Sequence, residues 1–355
     1  MATQNITIYS LADELGVSAA TVSRALNNSS RISDKRRRQV KELAEKRGFQ
    51  LRAFAPRMTN ICLLLVSSYE VTNIMSDFAA EVLNGANRYC QENEVELSLF
   101  SAPRDKLNNM NVVKELFRRN ADGVILLNSN KKCTFIEQFE KEKVPYCCLL
   151  SDNPAFPNHT LTVDNERLAE RAVDYLLQLG HRNIAYLHSA PNNPGQLDRL
   201  QGYRNVHARS GHPINEELIP SPVPYQSISG MEMGYQATTK LLQTNPEVTA
   251  IFAASSELAD GMHLACNRKG LRIPEDISLL VCDNPPRAEY TCPPLSVVDI
   301  ANDRFGAAAA AWVHQKLKGQ HMPVPSAPWM KANLIIREST APPRVDSAIT
   351  VGAAT

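Results

Sequence analysis

The feature that most constrains this 355-residue chain is a glycine near its start. It ends one short amphipathic segment just before the cap of the next. Ile8, Leu11, Ala12 and Leu15 fall at i, i+3, i+4 and i+7, one apolar stripe of a helix that Thr7 is placed to cap. Gly16 follows, where a helix commonly ends in a left-handed residue. Val17 is apolar and Ser18 is a good N-cap, so the spacing predicts a second helix at once. Helix, a short glycine-containing turn, helix is the helix-turn-helix arrangement. Ser33 then caps a third helix, with Val40, Leu43 and Ala44 inside and Gly48 ending it.

In the second helix Val22 and Leu26 face inward, which leaves Ala19, Ala20, Ser23 and Arg24 on the outer faces. Such a face is either ordinary solvated surface or a surface for DNA. In the second case Ala19 and Ala20 meet base edges and thymine methyls, because small residues permit close approach. Arg24 then reaches a guanine or a phosphate, and Thr21 and Ser23 donate to phosphate oxygens. The polar loop Asn27-Asn28-Ser29-Ser30-Arg31 could meet the backbone. Lys35-Arg36-Arg37-Arg38 sits in the first turn of the third helix, against the helix-dipole preference; such a run is either a solvated face or, beside a helix-turn-helix, in part a phosphate contact.

Charge separates this head from the rest. The net charge is +1, but residues 1–59 hold eleven Lys and Arg against five Asp and Glu, whereas the remainder holds 27 against 32. A small basic head on a larger acidic body is the footprint of a nucleic-acid binder with a second function. The length predicts two or three folding units, and 43% hydrophobic residues can fill large cores. No run of about 18 apolar residues exists, and MATQNITIYS has neither a basic nor an apolar signal region, so a cytoplasmic place is expected. Eight cysteines are scattered without a CxxC pair, which argues for buried thiols rather than zinc.

Beyond residue 60 the pattern alternates between strands and helices. Ile61 to Val66, Val95 to Phe100, Gly123 to Leu127 and Val144 to Leu150 read as strands, with helices around Phe78 to Asn93 and Asn111 to Arg119. A second such unit starts near Val163. It carries helix Glu166 to Leu179, strand Ile184 to Leu187, helix Arg199 to Ser210, and strands Ala250 to Ala253 and Ile277 to Cys282. These continuous apolar runs fit parallel, doubly wound sheets. Two α/β lobes imply a cleft where a small ligand binds at the carboxyl ends of strands. Residues 341–355 show no periodicity and are expected to be disordered; without apolar heptads they argue against a coiled-coil tetramer.

Gly16-Val17-Ser18-Ala19-Ala20-Thr21-Val22-Ser23-Arg24-Ala25-Leu26-Asn27 resembles the signature of the lactose-repressor/galactose-repressor (LacI/GalR) family of bacterial transcription regulators, and Ile32-Ser33, Arg37, Val40 and Gly48-Phe49 continue it. The likeness extends through Leu179-Gly180-His181-Arg182-Asn183-Ile184-Ala185, Arg199-Leu200-Gln201-Gly202-Tyr203, Gly270 to Ser278 and Pro293-Pro294-Leu295, so about residues 5 to 340. It implies an all-α helix-turn-helix head at 1–50, a hinge at 51–59, and a two-lobed α/β body at 60–340 resembling type I periplasmic sugar-binding proteins. The implied function is regulation of transcription, usually repression, by a homodimer on a pseudo-palindromic operator. Its DNA affinity would answer to a sugar or sugar derivative, with no cofactor or metal.

The residues expected on DNA are Thr7, Ser18, Ala19, Ala20, Thr21, Ser23, Arg24, Asn27, Arg31 and the hinge wedge Met58, where the family usually has Leu. Pro56 inside the expected hinge helix removes a donor and pushes Ala55 out of the helical region, so a shorter or shifted hinge and a different DNA bend are expected. The residues expected on the ligand are Arg199, Asp283, Ser255, Phe78 and Tyr69. Arg199 suits a ligand hydroxyl or carboxylate, a role placed ahead of the alternative of a lobe-surface salt bridge; Asp283 could accept sugar hydroxyls or cap a strand end. The chain departs from the family where Ser255-Ser256, Leu150-Ser151 and Val281-Cys282 replace usual anchors, so either the ligand is unusual or polar work passes to neighbours such as Asp152, Glu257 or Asp260. Phe156 and Tyr225 are further aromatics that could stack on a sugar or fill core. An enzyme on the same body is disfavoured, since no GxxxxGK[ST], GxSxG or HExxH motif occurs. A sugar-binding transport protein fits neither the missing signal nor the basic head.

Overall fold

The computed structural model describes residues 8–26, 32–47, 58–67, 76–149, 156–190, 193–221, 229–320 and 332–344. The chain forms two compact units, Met1–Met58 and Thr59–Thr355.

The first unit is three helices, α1 (Ile8–Leu15), α2 (Ala19–Leu26) and α3 (Asp34–Lys46). Gly16 takes φ +59°, and the Val17 N–H donates to the Ala12 carbonyl at 3.0 Å, so the turn closes on the left-handed residue the sequence supplies. Leu11, Ala12, Val22, Ala25, Leu26, Val40 and Ala44 are buried together, with Leu15 and Leu43 at the edge. Ala25 joins this core although its spacing had not marked it. Arg47 grips Glu14 across α1 and α3, the closest contact being 2.6 Å. The expected cap Thr7, the glycine Gly48 and hinge residues 51–57 lie outside the described residues.

The second unit holds two five-stranded sheets. The first is ordered β2-β1-β3-β4-β5, from β1 (Asn60–Ser67), β2 (Glu96–Pro103), β3 (Gly123–Leu127), β4 (Tyr146–Leu149) and β5 (Thr160–Leu161), all parallel. The second is ordered β10-β9-β8-β7-β6, from β6 (Ile184–Leu187), β7 (Ala250–Ala253), β8 (Ser278–Cys282), β9 (Ser296–Asp299) and β10 (Asn333–Ile335). The all-parallel expectation is corrected at β10, which pairs antiparallel with β9. Such an antiparallel edge strand is common on an otherwise parallel sheet. Alternate residues of β1 explain the apolar run. Ile61, Leu63 and Leu65 enter one core and Cys62, Leu64 and Val66 the core on the other face.

Helices α4 (Asp77–Glu92), α5 (Arg104–Asn108), α6 (Val112–Arg118) and α7 (Glu137–Glu142) belong to the first lobe; α8 (Asn165–Gln178), α9 (Pro194–Arg209), α10 (Gly230–Thr244) and α11 (Ala259–Arg268) belong to the second. The last helix, α12 (Asn302–Leu317), follows a strand of the second lobe yet packs on α4, β3 and β4 of the first. The chain therefore crosses between lobes after β5, after β9, and again before β10. The α4–α12 seam is backbone on backbone: a Cβ on Gly85 would fall 1.7 Å from the Asp303 carbonyl oxygen, and one on Gly306 2.0 Å from that of Val82.

The disordered-tail expectation is corrected for its first residues. The Ala341 N–H donates to Ser278 Oγ at 3.0 Å, its carbonyl accepts from His181 Nε2 at 2.9 Å, and Arg344 pairs with Asp276 at 2.7 Å. Residues 345–355 lie outside the described residues. His181 is thereby a buried structural group: Nε2 donates, Nδ1 accepts from the Thr249 hydroxyl at 2.9 Å, and burial holds its pKa below the ordinary value. Seven of the cysteines are buried, and Cys292 alone is exposed. Among the described residues no helix is long and apolar enough to cross a membrane.

Gly306→Ala should lower the urea midpoint by an amount equivalent to about 1–3 kcal/mol, because the α4–α12 seam cannot admit a methyl. An unchanged midpoint would contradict a seam set by backbone contact.

Candidate functional site

On the head, the capping hydroxyl of Ser18 accepts the Thr21 N–H at 3.2 Å and pairs with Thr21 Oγ1 at 2.9 Å. The cap fixes the start of α2, and the hydroxyl pair keeps one proton not used between them. Val22 and Leu26 face the core as their spacing requires. Ala19, Ala20, Ser23 and Arg24 stand on helical backbone of α2, but their side chains lie outside what the structure describes, as do Thr7, Asn27 and Arg31 entirely. Met58 is 41% exposed. The basic run divides. Arg37 turns inward to Asp34 at 2.8 Å and to the Ile32 carbonyl at 3.1 Å, whereas Lys35, Arg36 and Arg38 are exposed. Ser33 caps α3 by accepting the Arg36 N–H at 3.4 Å. The run therefore presents three cations to solvent and spends the fourth on the fold.

In the body, the carboxyl ends of β6, β7 and β8 lead to Ser189, Ser255-Ser256-Glu257 and Asp283. Arg199, on α9, is 7% exposed; its Nε donates to Asn165 Oδ1 at 2.9 Å and its Nη1 to the Ala254 carbonyl. Neither partner is a carboxylate of the lobe surface, so the guanidinium faces inward with two of its nitrogens engaged. Asp283, the first residue after β8, is 4% exposed with φ +73°, a left-handed conformation an Asp tolerates better than most residues. Asn302 Nδ2 donates to its carboxylate at 3.2 Å, and the Ser256 N–H also binds it.

Ser255 accepts the Glu257 N–H at 3.5 Å, capping a short 3-10 turn. Glu257 accepts from the Ser189 hydroxyl, which Gln196 also holds. Phe78 is half-buried and packs against the shared core, and Phe156 packs against the core on the outer face of the first sheet. Tyr69, Asp152 and Tyr225 lie outside the described residues.

Four residues the sequence had not marked complete this centre. Arg287 bridges the lobes. Its Nη1 donates to Asp77 at the start of α4, its Nε to Asp260 at 3.1 Å, and its Nη2 to the Ser256 carbonyl at 3.2 Å. Asn302 reaches Glu81 of α4 at 2.8 Å with the same Nδ2 that holds Asp283. Burial, then the neighbouring charges of Asp283, Asp299 and Asp77, push Glu81 up to about 7 against the pull of the Asn302 amide. Burial likewise raises Glu257 and Asp283, although Arg199 favours the charged form of Asp283. No local sequence signal distinguishes Asp77, Glu81, Arg287 and Asn302, since positions more than 200 residues apart meet only after the chain has crossed the lobes.

A carboxyl raised on folding contributes stability that is present at low pH and lost as pH rises through its folded value. For Glu81 that window runs from the ordinary carboxylate range to about 7. The urea midpoint of the native chain should therefore fall more between pH 5 and pH 8 than that of Glu81→Gln. Parallel curves would show that Glu81 titrates normally.

The helix-turn-helix residues 7–50 match the family described as bacterial regulatory proteins, lacI family, and residues 173–340 match a periplasmic binding protein-like domain. The HTH-type transcriptional regulator DegA of Bacillus subtilis is 29% identical over 95% of this chain and 98% of its own length. Catabolite control protein A of Priestia megaterium is 26% identical over 86% of this chain and 90% of its own length. Among solved structures, the transcriptional regulator CelR in complex with cellobiose matches at 25% identity and a TM-score of 0.67, covering 94% of this chain and all of that one. This chain thus carries a lacI-family helix-turn-helix head and a periplasmic binding protein-like body, and along nearly its whole length it is similar to bacterial transcriptional regulators of that build.

Proposed function

We propose that this protein is a sequence-specific DNA-binding repressor acting in the cytoplasm, whose operator affinity is set by a carbohydrate effector held between its lobes. The observation that carries the reading is the pairing of a capped helix-turn-helix with a cleft that gathers Arg199, Asp283, Glu257 and Arg287 at strand carboxyl ends. α2 supplies the reading surface: Ala19 and Ala20 approach base edges, Arg24 contacts a guanine or phosphate, and Thr7, Ser18, Thr21, Ser23, Asn27 and Arg31 meet the backbone. Two copies place two such helices on the halves of a pseudo-palindrome, with Met58 of each hinge at its centre. Arg199, Asp283 and Ser255 bind the effector, with Phe78 and Tyr69 against its apolar face. A relative of similar length binding cellobiose supports the carbohydrate class. The effector acts by favouring one relative lobe arrangement, a coupling free energy between two sites.

Fluorescence anisotropy on the DNA upstream of the protein's own gene tests the head. Arg24→Ala should weaken binding by about 1–3 kcal/mol and flatten discrimination against unrelated DNA, whereas Lys35→Ala should weaken all sequences alike and reduce the salt slope by about 1. Binding to no such duplex even at low salt would sink the repressor reading.

A further inference from the structure

The groups that line the meeting of the two lobes are acceptors. Asp77 and Glu81 come from α4 of the first lobe, Glu257 and Asp283 from the strand ends of the second, and Asp299 from the end of β9. They act on one another. Asp77 and Asp283 both disfavour charge on Glu81 and on Glu257, and Asp299 adds to the effect on Glu81. Two guanidinium groups stand among them, one fully committed and the other with a single nitrogen, Nη2 of Arg199, outside these bonds. All three nitrogens of Arg287 donate within the protein, and Arg199 gives Nε to Asn165 and Nη1 to a backbone carbonyl. The stretches that follow β1 and β4 in sequence, 68–75 and 150–155, contain no Lys or Arg.

A second observation points to a missing donor. Asn302 is 2% exposed and lies where the chain crosses between lobes; its Nδ2 is shared by Glu81 and Asp283, and its Oδ1 is buried with no partner. An acceptor left unpaired at such depth costs about 1–3 kcal/mol, which a donor-bearing ligand recovers. An anionic ligand would instead meet five carboxylates against one remaining guanidinium nitrogen, Nη2 of Arg199.

On the carbohydrate reading given above, we infer that the effector is a cationic sugar, its ammonium group lodged among Asp77, Glu81 and Asp283 and its hydroxyls supplying the remaining donors. Binding of that charge favours ionised Glu81, so a proton leaves as the ligand enters. Asp299 acts on Glu81 directly, Arg199, Arg287 and Glu257 act on its neighbours Asp283 and Asp77, and together they set the background against which Glu81 titrates.

Calorimetry of the full chain at pH 6.5 with glucosamine, galactosamine, glucose, galactose, glucuronate and glucose 6-phosphate tests this. An amino sugar should bind at least about tenfold more tightly than its neutral parent, the size of one charge-assisted hydrogen bond. Its heat should vary with buffer ionisation as proton release requires. Glu81→Gln should remove both the preference and the proton release. A neutral or anionic sugar binding as tightly as the amines, silence from both amines, or a preference that survives both Glu81→Gln and Asp77→Asn overturns the assignment. Anisotropy on operator DNA in the same samples separates the two levels. Release by glucose 6-phosphate would leave a carbohydrate-controlled regulator standing with the cationic class refuted, while an absence of DNA binding would strike only the regulator reading.

Discussion

Helix α12 leaves the second sheet and packs on the first, and the polar centre between the lobes depends on that packing. Its seam with α4 is closed by Gly85 and Gly306, whose missing side chains let each backbone touch the other helix's carbonyl oxygens. Arg88 and Asp303 pair across the seam at 2.9 Å, and Tyr89 meets His314 edge-on. With α12 fixed there, its first residue is set beside both Glu81 of one lobe and Asp283 of the other. A core cannot hold charges cheaply, so these carboxylates are tolerated only because amides, backbone N–H groups and two arginines surround them.

Backbone geometry does much of the polar work here. Ser255-Ser256 replaces the residue pair usual for the family, and the consequence is visible in atoms: the Ser256 N–H holds Asp283 while its carbonyl receives Arg287. Glu257 and Asp260, the neighbours expected to take over polar work, are both bonded within the protein. Asp260 takes one nitrogen of Arg287 and Glu257 takes the Ser189 hydroxyl.

The head and the strands were legible because their signals are local. A stripe at helical spacing that ends on Gly16 needs no knowledge of the rest of the chain, and β3 and β6 carry apolar runs that burial on both faces requires. The short strands β5, β9 and β10 escaped the same reading, since two to four residues carry no period and owe their pairing to neighbours. α9 begins at Pro194, five residues before its most chemically informative side chain, because Asn193 caps it and proline is at ease in a first helical turn. Within the cleft Arg199 and Asp283 were readable from resemblance, whereas Asp77, Glu81, Arg287 and Asn302 were not. Their meaning comes from convergence across the lobes, and α12's crossing is not written in any short segment.

Arg287 gives this arrangement a thermodynamic edge. Its guanidinium already joins Asp77 of one lobe to Asp260 and Ser256 of the other, so the cleft carries its own cation. A small molecule that takes Asp77 must displace a tethered competitor rather than water, and its measured affinity is the intrinsic affinity reduced by the fraction of chains in which that tether is open. Weak contacts made by the wrong ligand fall below this threshold and leave the lobes as they were. Under the proposed function Arg287 would act as a filter, trading affinity for discrimination before any signal reaches the DNA.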